Sequence, residues 1–338
     1  MRDILLKLSR REDLTRDEAA EAFERIMSGQ ATEAQIGGLL VGLAAKGTTA
    51  AELASAARVM RGKVLGLGFA PTGVILDTCG TGGDVRGTFN ISTAAAIIAA
   101  AAGVQVVKHG NRSASGRSGS ADVLEKLGVR IDAPPQCLQK CLEHANICFA
   151  FARAHHPAMR HVAAARSTLG IPTIFNLLGP LTNPGGAKHQ LLGVFASELT
   201  DRLAEVLADL GSERAWVVHA DDGLDELSTI SPTRISELKP GGRIHTWKLD
   251  SRELKLPSGR LSDLQADSAD DSARIIRAIF AGEKGPPRDI ALLNAAAALV
   301  VAEASPNLPT ALARAAEAID SGQAVKTLEK LTNHSAAN

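Results

Sequence analysis

Apolar positions in the first 62 residues recur at helical spacing. Leu14, Ala19, Ala22, Phe23 and Ile26 form one such stripe. Thr15 stands before it as an N-cap candidate with the acidic turn Asp17-Glu18 just inside, and Gly29 ends the helix. Thr32-Glu33 opens a second helix that runs through Ile36, Leu39, Leu40 and Leu43 to a stop at Gly47, and Ala50 to Met60 makes a further one. From Pro71 the period changes. Val74-Ile75-Leu76 reads as a short strand, followed by a helix over 92–102, a strand from Val104 to Val107 and a polar loop over 108–120. A helix from Ala121 to Leu127 comes next, and Pro134-Pro135 opens another that lasts to Asn146. Ile147 to Phe151 is again a strand. Leu191 to Phe195 and Trp216 to His219 are later strands, separated by a helix over 200–210. Residues 227–249 hold several β-like pieces, including Arg243 to Leu249, and the chain is helical from Ser268 onward. Strands alternating with helices imply βαβ units, so the expected fold class is α/β. A small all-α domain should accompany a larger α/β domain with a mostly parallel central sheet.

The 338 residues carry 37 Lys and Arg against 37 Asp and Glu, so the formal net charge is zero. That balance argues against a general binder of nucleic acid or acidic membranes. Aromatic residues make up 3% and Tyr is absent, which leaves no stacking platform for single strands. The four Cys lack framework spacing and suit a reducing compartment such as the cytoplasm. Met1 to Leu14 is charged throughout and has no apolar core of the signal-peptide kind. The long uncharged runs Gly87 to Val107 and Ser167 to Ala187 are not membrane spans. The first is diluted by Thr88, Asn90, Ser92, Thr93, Gly103 and Gln105, and the second is broken by Pro172, Pro180 and Pro184.

Two loops carry candidate chemistry. Asp77-Thr78-Cys79-Gly80-Thr81-Gly82-Gly83-Asp84 follows a strand and precedes a helix that starts near Asn90-Ile91-Ser92-Thr93. Close-set glycines let backbone N–H groups approach a ligand, and a helix start adds free N–H groups and a positive dipole end. Both suit phosphate. Val85 and Thr88 occupy positions where the dinucleotide and P-loop patterns need Gly and Lys, so neither common nucleotide motif is complete. The second loop, Lys108 to Ser120, holds three cations, four Ser and three Gly at the end of a buried strand, where α/β sheets bind ligands.

Gly80 to Asp84, Thr88 to Thr93, Lys108-His109-Gly110-Asn111-Arg112, Gly119 to Glu125 and Phe175 to Leu181 together closely resemble the anthranilate phosphoribosyltransferase family over nearly the whole chain. That resemblance implies the second step of tryptophan biosynthesis from chorismate. The amine of anthranilate attacks C1 of 5-phosphoribosyl 1-diphosphate (PRPP) and displaces pyrophosphate. It implies that Gly80, Gly83, Asp84, Thr88, Asn90, Ile91, Ser92 and Thr93 hold PRPP. The segment Lys108, His109, Gly110, Asn111, Arg112, Ser113, Ala114, Ser115 and Gly116, with Ser120, closes over the same substrate. Gly80, His109, Asn111 and Arg166 face anthranilate. Gly116 stands where the family usually has a second Ser, which removes a hydroxyl. The family's all-α domain, here 1–66 completed by about 160–186, packs beside the α/β domain 67–338, with the ligand cleft between them. It also carries a homodimer contact.

Asp221-Asp222-Gly223-Leu224-Asp225-Glu226 reads by composition as a solvated acidic turn. The resemblance assigns Asp225 and Glu226, with the Ser92 hydroxyl, to two Mg²⁺ ions. Arg166, flanked by Val162 and Leu169 on a helix, is by default a surface ion-pair residue; the resemblance makes it the grip on a carboxylate. No residue is assigned as acid or base, because an arylamine barely holds a proton. Cys137, Cys141, His144 and Cys148 would spread over about 16 Å of helix, too far for one ion, and read as buried thiols. His155-His156 lacks a third ligand. Two other readings share the fold: a pyrimidine nucleoside phosphorylase, and an inactive nucleic-acid-binding relative. Zero net charge and the presence of Arg166 oppose the second.

Overall fold

The computed structural model describes residues 1–82, 86–113 and 119–337. Four helices open the chain: α1 (Arg2–Ser9), α2 (Arg16–Met27), α3 (Glu33–Lys46) and α4 (Ala50–Gly62). The last three begin in the same way. Thr15, Thr32 and Thr49 each accept a hydrogen bond from the N–H three residues on, and Glu18, Gln35 and Glu52 each return one to the cap backbone. This reciprocal cap satisfies two otherwise orphaned donors per helix and fixes where each one starts.

The α/β region then runs β1 (Ile75–Gly80), α5 (Ile91–Ala101), β2 (Gln105–Gly110), α6 (Ser120–Lys126), α7 (Pro135–Ala145), β3 (Ile147–Phe151), α8 (Ala152–His155), α9 (Arg160–Leu169) and α10 (Ile174–Leu178). It continues through β4 (His189–Gly193), α11 (Leu199–Asp209), β5 (Arg214–Ala220), β6 (Thr233–Lys239), β7 (Arg243–Leu249), α12 (Ala269–Phe280), α13 (Pro286–Val301), α14 (Leu308–Asp320) and α15 (Gln323–Ala336). The strands form one sheet in the order β3-β2-β1-β4-β5-β6-β7. The first five are parallel, and β6 and β7 add an antiparallel hairpin at the edge. The mostly parallel sheet expected from the sequence is present. The β-like pieces of 227–249 prove to be two full strands. No helix among the described residues is long and apolar enough to cross a membrane.

The sheet separates two hydrophobic cores. Successive side chains of a strand point to opposite faces. On β4 and β5, Leu191, Trp216 and Val218 join the core under α5 and α13, whereas Leu192, Ala215 and Val217 join the core of α1 to α4, α9 and α10. Helix α11 also packs into that second core through Leu203, Val206 and Leu207, so the helical layer extends beyond 160–186. Arg61 fastens α4 to this layer, donating to the Leu181 and Leu210 carbonyls at 2.7 and 2.9 Å. Cys137 and Cys141 lie on α7 and Cys148 on β3, so the four-residue set discounted above is not on one helix.

Glu52 is fully buried in the helical layer. Its carboxylate accepts from the Leu14 and Thr49 N–H groups, both at 2.8 Å, and from Lys46 Nζ at 3.0 Å. It therefore ties α2's approach, α3's end and α4's start to one point. Glu52→Ala leaves these buried donors unmatched and should cost about 2–4 kcal/mol of unfolding free energy in urea titration. A loss below about 0.5 kcal/mol would mean that the carboxylate is not what joins these helices.

Candidate active site

The site lies at the carboxyl ends of β1, β2 and β4, where open parallel sheets receive ligands. Gly80 is the last residue of β1 rather than part of a free turn, and it pairs in register with Gly193, the last residue of β4. These two glycines leave room for the loop after β5. A Cβ on Gly80 would stand 2.8 Å from Asp225 Oδ2, and a Cβ on Gly193 would overlap the Asp225 carbonyl. Thr81 joins the strand ends again, its N–H donating to the Gly193 carbonyl at 2.9 Å and its hydroxyl accepting from Phe195 N–H at 3.2 Å. Gly193 was not among the residues singled out from sequence. A glycine inside the apolar strand Leu191 to Phe195 is nevertheless a signal of close backbone approach.

Lys108 belongs to β2, not to the loop after it, and is 1% exposed. Its Nζ donates to the Thr78 carbonyl at 2.6 Å and to Ser92 Oγ at 3.3 Å. Burial pulls its pKa down, while Asp77, Cys79 and Glu226 act to raise it. Lys108, Ser92, Asp225, Glu226 and Gly80 are thus gathered at one edge of the sheet. Asp77 lies underneath, fully buried, and accepts from His109 N–H at 3.1 Å. Burial raises its pKa to about 6, against the pull of Asn183 and Lys108.

Asn90 caps α5. Its Oδ1 accepts from Thr93 N–H at 3.1 Å and from Ser92 Oγ at 3.4 Å, and its own N–H donates to buried Ser272 Oγ at 2.8 Å. Thr88 forms an antiparallel bridge with Gln265, and Phe89 N–H reaches the Leu264 carbonyl. The substrate-side stretch is therefore held from behind by a segment far along the chain, a contact sequence reasoning missed. Ile91 is buried at the helix start. In the polar segment, Gly110 makes room for Ser120, whose Oγ a Cβ there would overlap. Asp122 accepts from Ser113 and Gly119 N–H groups, both at 3.0 Å, and so pins both ends of the loop. The Arg112 guanidinium donates to Asp122 and to both oxygens of Glu125. The Asn111 carbonyl accepts from Ala121 N–H. Gly83, Asp84, Ala114, Ser115 and Gly116 lie outside the described residues.

The second group of expected residues surrounds a pair of histidines. His109 Nε2 and His156 Nε2 are 3.1 Å apart, and both rings are buried. Burial, then His156 and His155, lowers the His109 pKa to about 3. Burial and His155 lower that of His156 to about 4. Both imidazoles are neutral near pH 7, and one with so low a pKa is a weak general base. His156, set aside with His155 in the sequence, is His109's direct neighbour. Gln190 anchors the adjoining Gly179-Pro180 turn, donating to the Pro180 carbonyl at 2.6 Å and to Cys79 Sγ at 3.0 Å. Arg166 lies in the last turn of α9, with its guanidinium 5.3 Å from the centre of the Phe175 ring. No carboxylate among the described residues pairs with it.

Among the described residues no group of three or more His, Cys, Asp or Glu is arranged to hold a metal. Asp225, Glu226 and Ser92 offer two carboxylates and a hydroxyl, oxygen donors that would leave most positions of a hard cation to phosphate and water. Mg²⁺ binds in that way.

A helical layer against a mostly parallel sheet, with phosphate- and cation-suited groups at its carboxyl edge, is an arrangement suited to receive a phosphorylated ligand. Residues 2–64 match the helical bundle domain of the glycosyl transferase family, and residues 72–325 match its a/b domain. A curated relative from Rhodospirillum rubrum, named anthranilate phosphoribosyltransferase, is 53% identical over 94% of this chain and 91% of its own. The crystal structure of the Thermus thermophilus enzyme of that name matches with a TM-score of 0.91 at 41% identity, covering 99% of this chain and 100% of that one. The Saccharomyces cerevisiae enzyme in complex with PRPP and Mg matches with a TM-score of 0.89 at 28% identity, covering 98% and 97%. A further structure of the yeast enzyme holds 4-fluoroanthranilate, with a TM-score of 0.87 at 27% identity over 98% and 97%. The chain belongs to the glycosyl transferase family and, within it, to the anthranilate phosphoribosyltransferases. These relatives give no support to the phosphorylase or nucleic-acid-binding readings.

The histidine pair yields a pH prediction. An unfolded imidazole takes up a proton near pH 6.5, whereas the native rings refuse it down to about 3 and 4. Native stability should therefore fall as pH drops below 6.5, because the unfolded chain binds more protons there. His109→Gln should flatten the pH dependence of the urea midpoint between about pH 4 and 6. Parallel curves for variant and wild type would show that His109 is not held neutral.

Proposed function

We propose that the protein joins anthranilate to the phosphoribosyl group of PRPP, giving N-(5-phosphoribosyl)anthranilate and pyrophosphate. The amine nitrogen forms a bond to C1, the bond from C1 to the pyrophosphate oxygen breaks, and the amine proton passes to solvent. The observation that carries this reading is the gathering of Lys108, Ser92, Asp225 and Glu226 over the Gly80–Gly193 edge. Lys108 and the first turn of α5 face the phosphates of PRPP, and Asp225, Glu226 and Ser92 hold Mg²⁺, two ions in all. A bound metal neutralises charge on the departing pyrophosphate. With His109 neutral, the chain's part is to bind, orient and exclude water, with no dedicated base. Gly83, Asp84 and 114–116 complete the PRPP site by family likeness. We propose that the substrate cleft lies between the all-α domain and the α/β domain. We further propose a cytoplasmic homodimer joined through the all-α domain.

The direct test mixes protein, anthranilate, PRPP and Mg²⁺ and follows the loss of anthranilate fluorescence. A steady decay that stops in chelator is expected, and no decay with all three present would refute the assignment. Arg166 is half-buried, set over the Phe175 ring and without a carboxylate partner among the described residues, which suits a grip on anthranilate's carboxylate. Arg166→Ala should raise the KM for anthranilate by about ten- to a hundredfold and change that for PRPP little. A defect mainly towards PRPP would give Arg166 a different task.

A further inference from the structure

Helix α13 is buried along almost its whole length, and Asn294 is the one polar side chain in its apolar run 290–301. A fully buried amide needs partners. Asn294 finds two of its three outside its own helix. Its Oδ1 accepts from Leu227 N–H at 3.0 Å, and its Nδ2 donates to the Leu227 carbonyl at 2.9 Å. The second Nδ2 hydrogen goes to the Ile290 carbonyl one turn back, at 2.9 Å. One side chain thus reads both backbone groups of a single residue, as a neighbouring strand would.

Leu227 directly follows Asp225-Glu226. On the near side of that pair, Asp222 accepts from Leu224 N–H at 3.1 Å and from Ser228 Oγ at 2.5 Å. Leu224 and Leu227 are both fully buried. The two acidic residues are therefore a short span between fixed points. The Asp225 carbonyl lies against Gly193, and Glu226 is close enough to act on buried Lys108. Other bonds of the loop are local, such as Ser228 N–H to Thr233 Oγ1, or exposed, such as Lys248 to Asp221. Asn294 reaches it from the core, 67 residues along the chain.

We propose that Asn294 is a positioning residue for Asp225 and Glu226, holding their backbone in the metal-binding arrangement before Mg²⁺ and PRPP arrive. The proposal rests on the reading that these two carboxylates hold Mg²⁺. Pre-ordering spares the complex the entropy of fixing the loop on binding. An amide is required, because a carboxylate at this position would face two carbonyl oxygens and an aliphatic side chain would leave both Leu227 groups unpaired.

Asn294→Leu keeps the branched shape and the number of heavy atoms and removes the clamp. In calorimetry of PRPP binding, the Mg²⁺ concentration for half-maximal effect should rise by about tenfold, while the KM for anthranilate stays at the wild-type value. Amide exchange of the metal-free proteins gives a readout apart from activity. In wild type the Leu227 N–H should be as protected as the amides of α13, and in the variant it should open. An unchanged Mg²⁺ requirement in folded Asn294→Leu overturns the proposal. So does an unprotected Leu227 amide in metal-free wild type, a measurement that decides the matter even if the variant does not fold. Asp225→Asn with Glu226→Gln separates the two levels. Wild-type Mg²⁺ dependence in that double variant refutes the metal assignment itself, whereas a lost dependence there beside an unaffected Asn294→Leu refutes only the clamp.

Discussion

Two glycines facing each other across parallel strands allow this site to exist. Gly80 and Gly193 are paired in register at the carboxyl ends of β1 and β4. Side chains there would fill the space into which the loop after β5 folds. Because they are absent, the Asp225 backbone settles directly on the sheet edge, and its carboxylate comes within reach of the β1 terminus. The rest of the constellation is arranged around that approach. β2 brings Lys108 alongside, α5 brings Ser92, and Thr81 joins the two strand ends above the glycines. The fold thus gathers these groups by removing bulk at two positions.

The second constraint is dryness. Lys108, Asp77, His109 and His156 are all buried, and burial governs how each of them titrates. An ammonium taken out of water must be met by carbonyl, hydroxyl and carboxylate oxygens, and Thr78, Ser92, Asp77 and Glu226 supply them. Burial, with no ion pair to either ring among the described residues, keeps the imidazoles neutral. A buried lysine therefore lies at one side of the site and two neutral rings at the other.

Much of this was legible in the chain. The strand Ile147–Phe151 was read at its true bounds, because a short β-favouring run follows Asn146, which adopts the left-handed conformation after α7. The Thr caps of α2 and α3 were visible for the same local reason. Reading failed where tertiary contact overrides pattern. Lys108 to Gly110 looked like loop because a lysine interrupts an apolar strand, yet the sheet buries it with its partners. Arg112, counted only as one of the loop's cations, is bonded to Asp122 and Glu125. Asn294 and Ser272 are polar residues within core helices and carry no local signal. Their partners lie 67 and 182 residues away, a separation that no local period encodes.

The central claim is that the absence of a side chain at Gly193 places Asp225, and with it the metal-dependent PRPP site. Gly193→Ala tests it most directly, because one methyl group is added and no charge or ligand is removed. PRPP binding measured by calorimetry with and without Mg²⁺, together with circular dichroism of the variant, is the required measurement. The account predicts a folded protein whose PRPP affinity in Mg²⁺ falls by at least about a hundredfold, towards the metal-free value. A folded Gly193→Ala protein that binds PRPP in Mg²⁺ as the wild type does would contradict it.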